Sequence, residues 1–224
     1  MYSLIKVWIG WSDEEEDMVL INHLPTLEEL NNLPINKVVY DCNEELDENF
    51  KNSGITHLIF SDEFNQPIDN LPKGLCNVRF GFCFNQLVDN LPLSLKVLEF
   101  TRESNFNQPV DNLPFRLERL IFGWHFNHPI DNLPLSLKEL EILGSFNQQL
   151  NNLPPNLIYL ETDGYFNQNV DFLPRTLKYL RLGEYFKYDL RNLPMTLEEL
   201  TISNKYKGEI DLPKNCKVVK YKVI

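Results

Sequence analysis

Across most of this chain the hydrophobic positions recur in a single spacing. LPLSLKVLEF (residues 91–100) is followed in register by LPFRLERLIF, LPLSLKELEI, LPPNLIYLET, LPRTLKYLRL and LPMTLEELTI. Each block ends on two apolar positions two residues apart, the period of a short strand with one buried face. The pattern predicts that Leu98 and Phe100 point into a core and that Glu99 points away from it. Upstream, GITHLIF (54–60) and KVVYD (37–41) read as further strands of the same set.

A second motif fills the space between blocks. FNQPIDNLP starts at Phe64, and its copies start at Phe84, Phe106, Phe126, Phe146, Phe166 and Phe186, with a decayed last copy at Tyr206. The step is 20 residues, except for 22 between Phe84 and Phe106, where TRESN carries the extra length. The phenylalanines read as apolar plugs at the corner after each strand. The asparagines behind them (Asn65, Asn85, Asn107, Asn127, Asn147 and Asn167) read as a copy-on-copy ladder whose amides satisfy backbone groups left open by the turn. Leu-Pro cannot continue a strand ladder, because proline lacks the N–H, and is expected to run extended on the opposite side. Asp-Asn ahead of it is turn chemistry, with side chains bonding nearby backbone.

A twenty-residue unit cannot bury these groups alone, so neighbouring units must stack. The expected fold class is a repeat β-solenoid: a curved parallel β-sheet with an irregular, helix-poor convex side. Some nine strands at roughly 4.8 Å spacing would give an arc on the order of 40 Å. The expected organisation is an N-terminal cap over 1–36, a repeat array over 37–213 and a closing strand over 214–224.

Charge sharpens this picture. The net charge is −11, and residues 1–63 carry all of it, with fourteen acidic residues against three lysines. The remainder is neutral. Nucleic-acid binding through phosphate neutralisation is therefore disfavoured. No apolar run is long enough to cross a bilayer, and the N-terminus lacks the features of a secretory signal, so a cytoplasmic location is expected. The four cysteines have neither disulfide-frame nor zinc spacing and are expected to be free thiols.

These tandem motifs resemble the FNIP repeat, named for its Phe-Asn-Ile-Pro start, over about residues 50–213. The resemblance implies a short branch of the leucine-rich repeats, of the kind found in social amoebae and in giant viruses that infect amoebae. It implies protein binding, in a host cytoplasm if the chain is viral. Some family members carry an F-box-like segment that recruits a ubiquitin ligase. HLPTLEEL (23–30) is similar to the start of one, but the strand-like KVVYD follows too soon for three helices. The usual leucine-rich asparagine position holds Glu63, Cys83, His125, Ser145, Tyr165 and Tyr185, so the ladder must move to the Phe-Asn pair or be absent.

The outward strand positions vary while the core columns do not. One outward column reads Ile59, Arg79, Glu99, Ile121, Glu141, Glu161, Arg181, Thr201; its neighbour reads His57, Asn77, Val97, Arg119, Glu139, Tyr159, Tyr179, Glu199. Variation on one face of a regular scaffold, with Tyr and Arg present, suits a binding surface. The expected partner-binding patch is Trp124, His125, Glu141, Tyr159, Glu161, Asp163, Tyr179 and Arg181, with Tyr165 and Tyr185 on the adjacent rim. Its sign is expected to be negative and its partner a protein with a basic patch. A carbohydrate-binding or carbohydrate-active solenoid and a ubiquitin-ligase adaptor are the alternatives. No metal or cofactor is expected: His125 and His128 lack further ligands, and no phosphate loop or nucleophile elbow occurs. A monomer is expected, with head-to-tail association of the unlike ends as the alternative.

Overall fold

The computed structural model describes residues 3–8 and 15–222. Among them runs one twelve-stranded sheet in strictly sequential order. Its N-terminal strands are β1 (Ser3–Trp8), β2 (Glu15–Ile21), β3 (Lys37–Tyr40) and β4 (His57–Phe60). The central ones are β5 (Asn77–Phe80), β6 (Val97–Phe100), β7 (Arg119–Phe122) and β8 (Glu139–Ile142), followed by β9 (Tyr159–Thr162), β10 (Tyr179–Leu182), β11 (Glu199–Ser203) and β12 (Lys217–Tyr221). Every pair from β2 to β12 is parallel, while β1 returns antiparallel onto β2. The fold is a parallel β-solenoid with almost no helix, as the repeat implies. Its two short helices are α1 (Leu27–Asn31) and α2 (Glu48–Lys51).

The described residues before β3 extend the sheet. They add β1 and β2 to the sheet, and Thr26 starts α1 through a reciprocal capping box with Glu29. Lys37 of β3 pairs with Glu16 of β2, tying this region to the array. Asp13 and Glu14 of the acidic run lie outside the described residues. At the other end β12 closes the sheet against β11.

The core is a set of stacked columns. Leu58, Val78, Leu98, Leu120, Leu140, Leu160, Leu180 and Leu200 are all at most 1% exposed and register partners along the sheet. The plug rings of Phe84, Phe106, Phe126 and Phe146 stack at 6.1 to 6.2 Å from turn to turn. Strands in one sheet stand only about 4.8 Å apart, so the wider plug column forces the curvature and makes the outward strand face concave. Within a turn the strand phenylalanine stacks on the plug, as Phe122 does on Phe126 at 3.7 Å.

Polar ladders run beside the rings. The Asn127 side-chain oxygen accepts the backbone N–H of Asn147 at 3.0 Å, and Asn65, Asn85, Asn107, Asn147 and Asn167 do the same for the next turn. The ladder thus occupies the Phe-Asn pair. His128, in a glutamine position, contacts the Asn107 carbonyl as Gln148 contacts that of Asn127, which explains it without a metal.

After each Leu-Pro the chain turns: the proline carbonyl accepts the N–H of the leucine three residues on, as Pro134 does from Leu137 at 3.0 Å. Two expectations need correction. The Asp-Asn side chains bond each other across turns rather than nearby backbone, Asn132 donating to Asp111 at 2.9 Å. Glu99 is only 1% exposed although it sits in the outward column, because Arg79 and Arg119 close over it.

Candidate functional site

The concave face is built from the outward residues of β5 to β10, and their long side chains reach across neighbouring strands. Arg119 on β7 lies at the centre. Its guanidinium faces Glu99 at 3.5 Å, Glu139 at 2.6 Å and Glu141 at 3.0 Å. Arg79 approaches Glu99 from the other side, also at 3.5 Å and outside hydrogen-bonding geometry, so this buried carboxylate is held by charge. Burial pushes the Glu99 carboxyl above its usual range, and the two arginines oppose that shift. On the far side Arg181 pairs with Glu161 at 3.2 Å and lies over the Tyr221 ring at 5.0 Å. The Tyr159 hydroxyl donates to Glu161 at 2.6 Å.

Glu141 stands between these groups. Burial raises its carboxyl to about 7; Arg119 lowers it, while Glu161, its register partner on β9, raises it further. A cleft of about 440 Å³ opens beside it, lined by Arg119, Glu139, Glu141, Tyr159 and Tyr179, with Lys138 and Ile158 at its edge. Chemically the cleft offers a partly ionised acceptor on β8 with two phenol rings beside it on β9 and β10. It can take a cation or a hydrogen-bond donor.

The structure therefore brings together Glu141, Tyr159, Glu161, Tyr179 and Arg181 of the expected patch. Trp124 and His125 are not among them. They lie on the turn after β7, at the opposite end of the strands from Tyr159, and His125 contacts the Ser104 carbonyl at 3.1 Å. Tyr165 and Tyr185 occupy equivalent turns and stack at 5.0 Å, forming an exposed rim. Asp163 joins that rim through Arg102, 3.2 Å away and three turns earlier. The rim is tightly wound: Gly144 and Gly164 have φ of +73° and +59°, and a Cβ on Gly164 would stand 2.2 Å from the Gly144 carbonyl oxygen. The negative sign expected of the patch is largely offset, since each of its carboxylates has an arginine beside it or one strand away. Arg119 and Glu139 were missing from the sequence-derived patch. The available signal was their place in the outward column next to Tyr159.

Among the described residues no group of three or more His, Cys, Asp or Glu could hold a metal ion, and no helix is long and apolar enough to cross a membrane. All four cysteines are free and half-buried, and Cys216 packs against the end of the core.

Stacked strands, plug rings and an asparagine ladder define a leucine-rich-repeat type of solenoid. The FNIP Repeat family matches residues 29–83, 106–145 and 146–185, more than half of the chain, and the protein belongs to that family. A solved structure described as CroV588, a novel circular LRR protein, is similar over 92% of this chain, with 27% identity and a TM-score of 0.64. This chain spans 41% of that structure's length. No curated protein matches the sequence significantly.

Proposed function

We propose that this solenoid is a protein-binding scaffold whose concave cleft seats a cationic side chain of a partner against Glu141, beside Tyr159 and Tyr179. The observation that carries the reading is the Glu141 carboxyl itself. It faces an open cleft, with burial holding it near 7 and one arginine shared among three acids. A partner's lysine or arginine would complete the missing charge and keep Glu141 ionised. The flanking rings supply apolar area at small entropic cost. The reading is one of binding rather than catalysis, because Arg119 and Arg181 already engage the carboxylates that a reaction would need. By the family's distribution the partner would be an amoebal protein or a viral one made in the same cytoplasm.

The test is retention of proteins from amoebal lysate on the immobilised chain, compared with a Tyr159→Ala, Tyr179→Ala variant of unchanged melting temperature. A specific partner should bind the variant more weakly by more than about 2 kcal/mol. Its affinity should rise with pH between 6 and 8, as Glu141 ionises. Retention indifferent to both changes sinks the concave reading. Capture of glycans by the native cleft in place of protein would move it to carbohydrate.

A further inference from the structure

The flank of the solenoid where the strands begin carries an apolar row. From Leu71-Pro72 onward the residue after each Leu-Pro is exposed, and in three successive turns it is Leu93, Phe115 and Leu135, each more than 60% exposed. Met195 holds the same position further along, at 82%. An apolar row of this length is unusual on a surface that meets only water. Beside it runs a groove of about 700 Å³ with Phe115 and Ile158 in its wall. The charged residues of that groove are Lys96, Arg116, Lys138, Arg175 and Lys178 against the single acid Glu118. Lys138 is neutralised by Glu118 at 2.6 Å, and Lys178 by Glu198 at 2.7 Å. Lys96, Arg116 and Arg175 make no ion pair among the described residues.

We propose that this flank docks an acidic amphipathic helix of a partner protein. Charge selects the sign: a groove left positive on a chain whose net charge is −11 favours a short acidic segment. That same net charge disfavours a long polyanion such as nucleic acid. A helix suits the row. The turns are about 4.8 Å apart at the sheet and 6.1 to 6.2 Å apart at the plug rings. The helical pitch of about 5.4 Å falls between those limits, so apolar residues at i, i+4, i+7 and i+11 can follow successive turns. The lysine and arginine stems add apolar wall while their heads meet the helix's carboxylates.

The groove meets the concave cleft only at Lys138 and Ile158, so the two sites can be tested apart. The probe is a fluorescent helical peptide of about 14 residues, close to four turns, with leucine at i, i+4, i+7 and i+11 and glutamate elsewhere. Controls are the same peptide with lysine for glutamate and a single-stranded oligonucleotide. Saturable anisotropy binding is expected for the acidic peptide alone. Arg116→Glu with Arg175→Glu should weaken it about tenfold, and Phe115→Ser about fivefold. The melting temperature should stay unchanged, because all three side chains are exposed. Glu141→Gln should leave peptide binding intact. The proposal is overturned by absence of saturable binding, by equal binding of the lysine peptide or the oligonucleotide, or by affinity indifferent to the flank variants.

Discussion

Arg119 and Glu99 form an ion pair between different columns of the sheet. The register partner of Arg119 on β6 is Val97, and that of Glu99 on β7 is Ile121, yet Arg119 Nε lies 3.5 Å from Glu99 Oε1. Because Ile121 offers Glu99 no charge, the arginine reaches diagonally, and its two other nitrogens take Glu139 and Glu141.

Arg119 should therefore be the most sensitive polar position on the concave face. Arg119→Met leaves three carboxylates short of a cation, one of them fully buried. Removing one partner of a buried pair costs about 3–5 kcal/mol, and that is the expected loss. Arg119→Lys should recover only part of it, because one ammonium cannot engage three acids. Urea unfolding measures this; a loss below about 1 kcal/mol would mean that the acids relax into solvent.

Glu141 should make stability fall as pH rises. Its folded value of about 7 lies above the ordinary 4.5, so the folded chain retains a proton that the unfolded chain releases. The contribution is fully present below 4.5 and is lost as pH climbs through 7. Glu141→Gln should flatten this part of the pH–melting profile and raise stability at pH 8 by about 2 kcal/mol. A profile with the native slope in the variant would assign the proton elsewhere.

Leu140 and Asn127 should separate core from ladder. Leu140 is fully buried in the leucine column, and Leu140→Ala should cost about 2–5 kcal/mol. Asn127 is exposed although its oxygen accepts from Asn147, so water can replace it. Asn127→Ala should cost roughly 0.5–1.5 kcal/mol, less than a buried amide would. Hydrogen exchange at the Asn147 amide should quicken in that variant; an unchanged rate would deny the bond.

The two sheet edges should keep the chain monomeric. β1 bears the exposed Lys6 and β12 the exposed Lys220, so a head-to-tail edge contact would oppose like charges. Sedimentation should show one monomer at low and high salt. Association that appears at low salt would restore the head-to-tail alternative.

The sequence by itself determined whatever repeats every twenty residues. The leucine columns, the phenylalanine plugs and the move of the ladder to the Phe-Asn pair were legible because identical residues in identical turns must meet when the turns stack. Tyr165 and Tyr185 fell on the rim for the same reason. Only the tertiary structure decided where the non-repeating side chains go. Glu99 is buried because two arginines on neighbouring strands fold over it. Trp124 and His125 part from Tyr159 because a four-residue strand puts its two ends on different rims. The Phe115 flank becomes a groove only when Lys96, Arg116 and Arg175 from different turns line one wall. Such contacts depend on the reach of long side chains across neighbouring strands, which no spacing along the chain encodes.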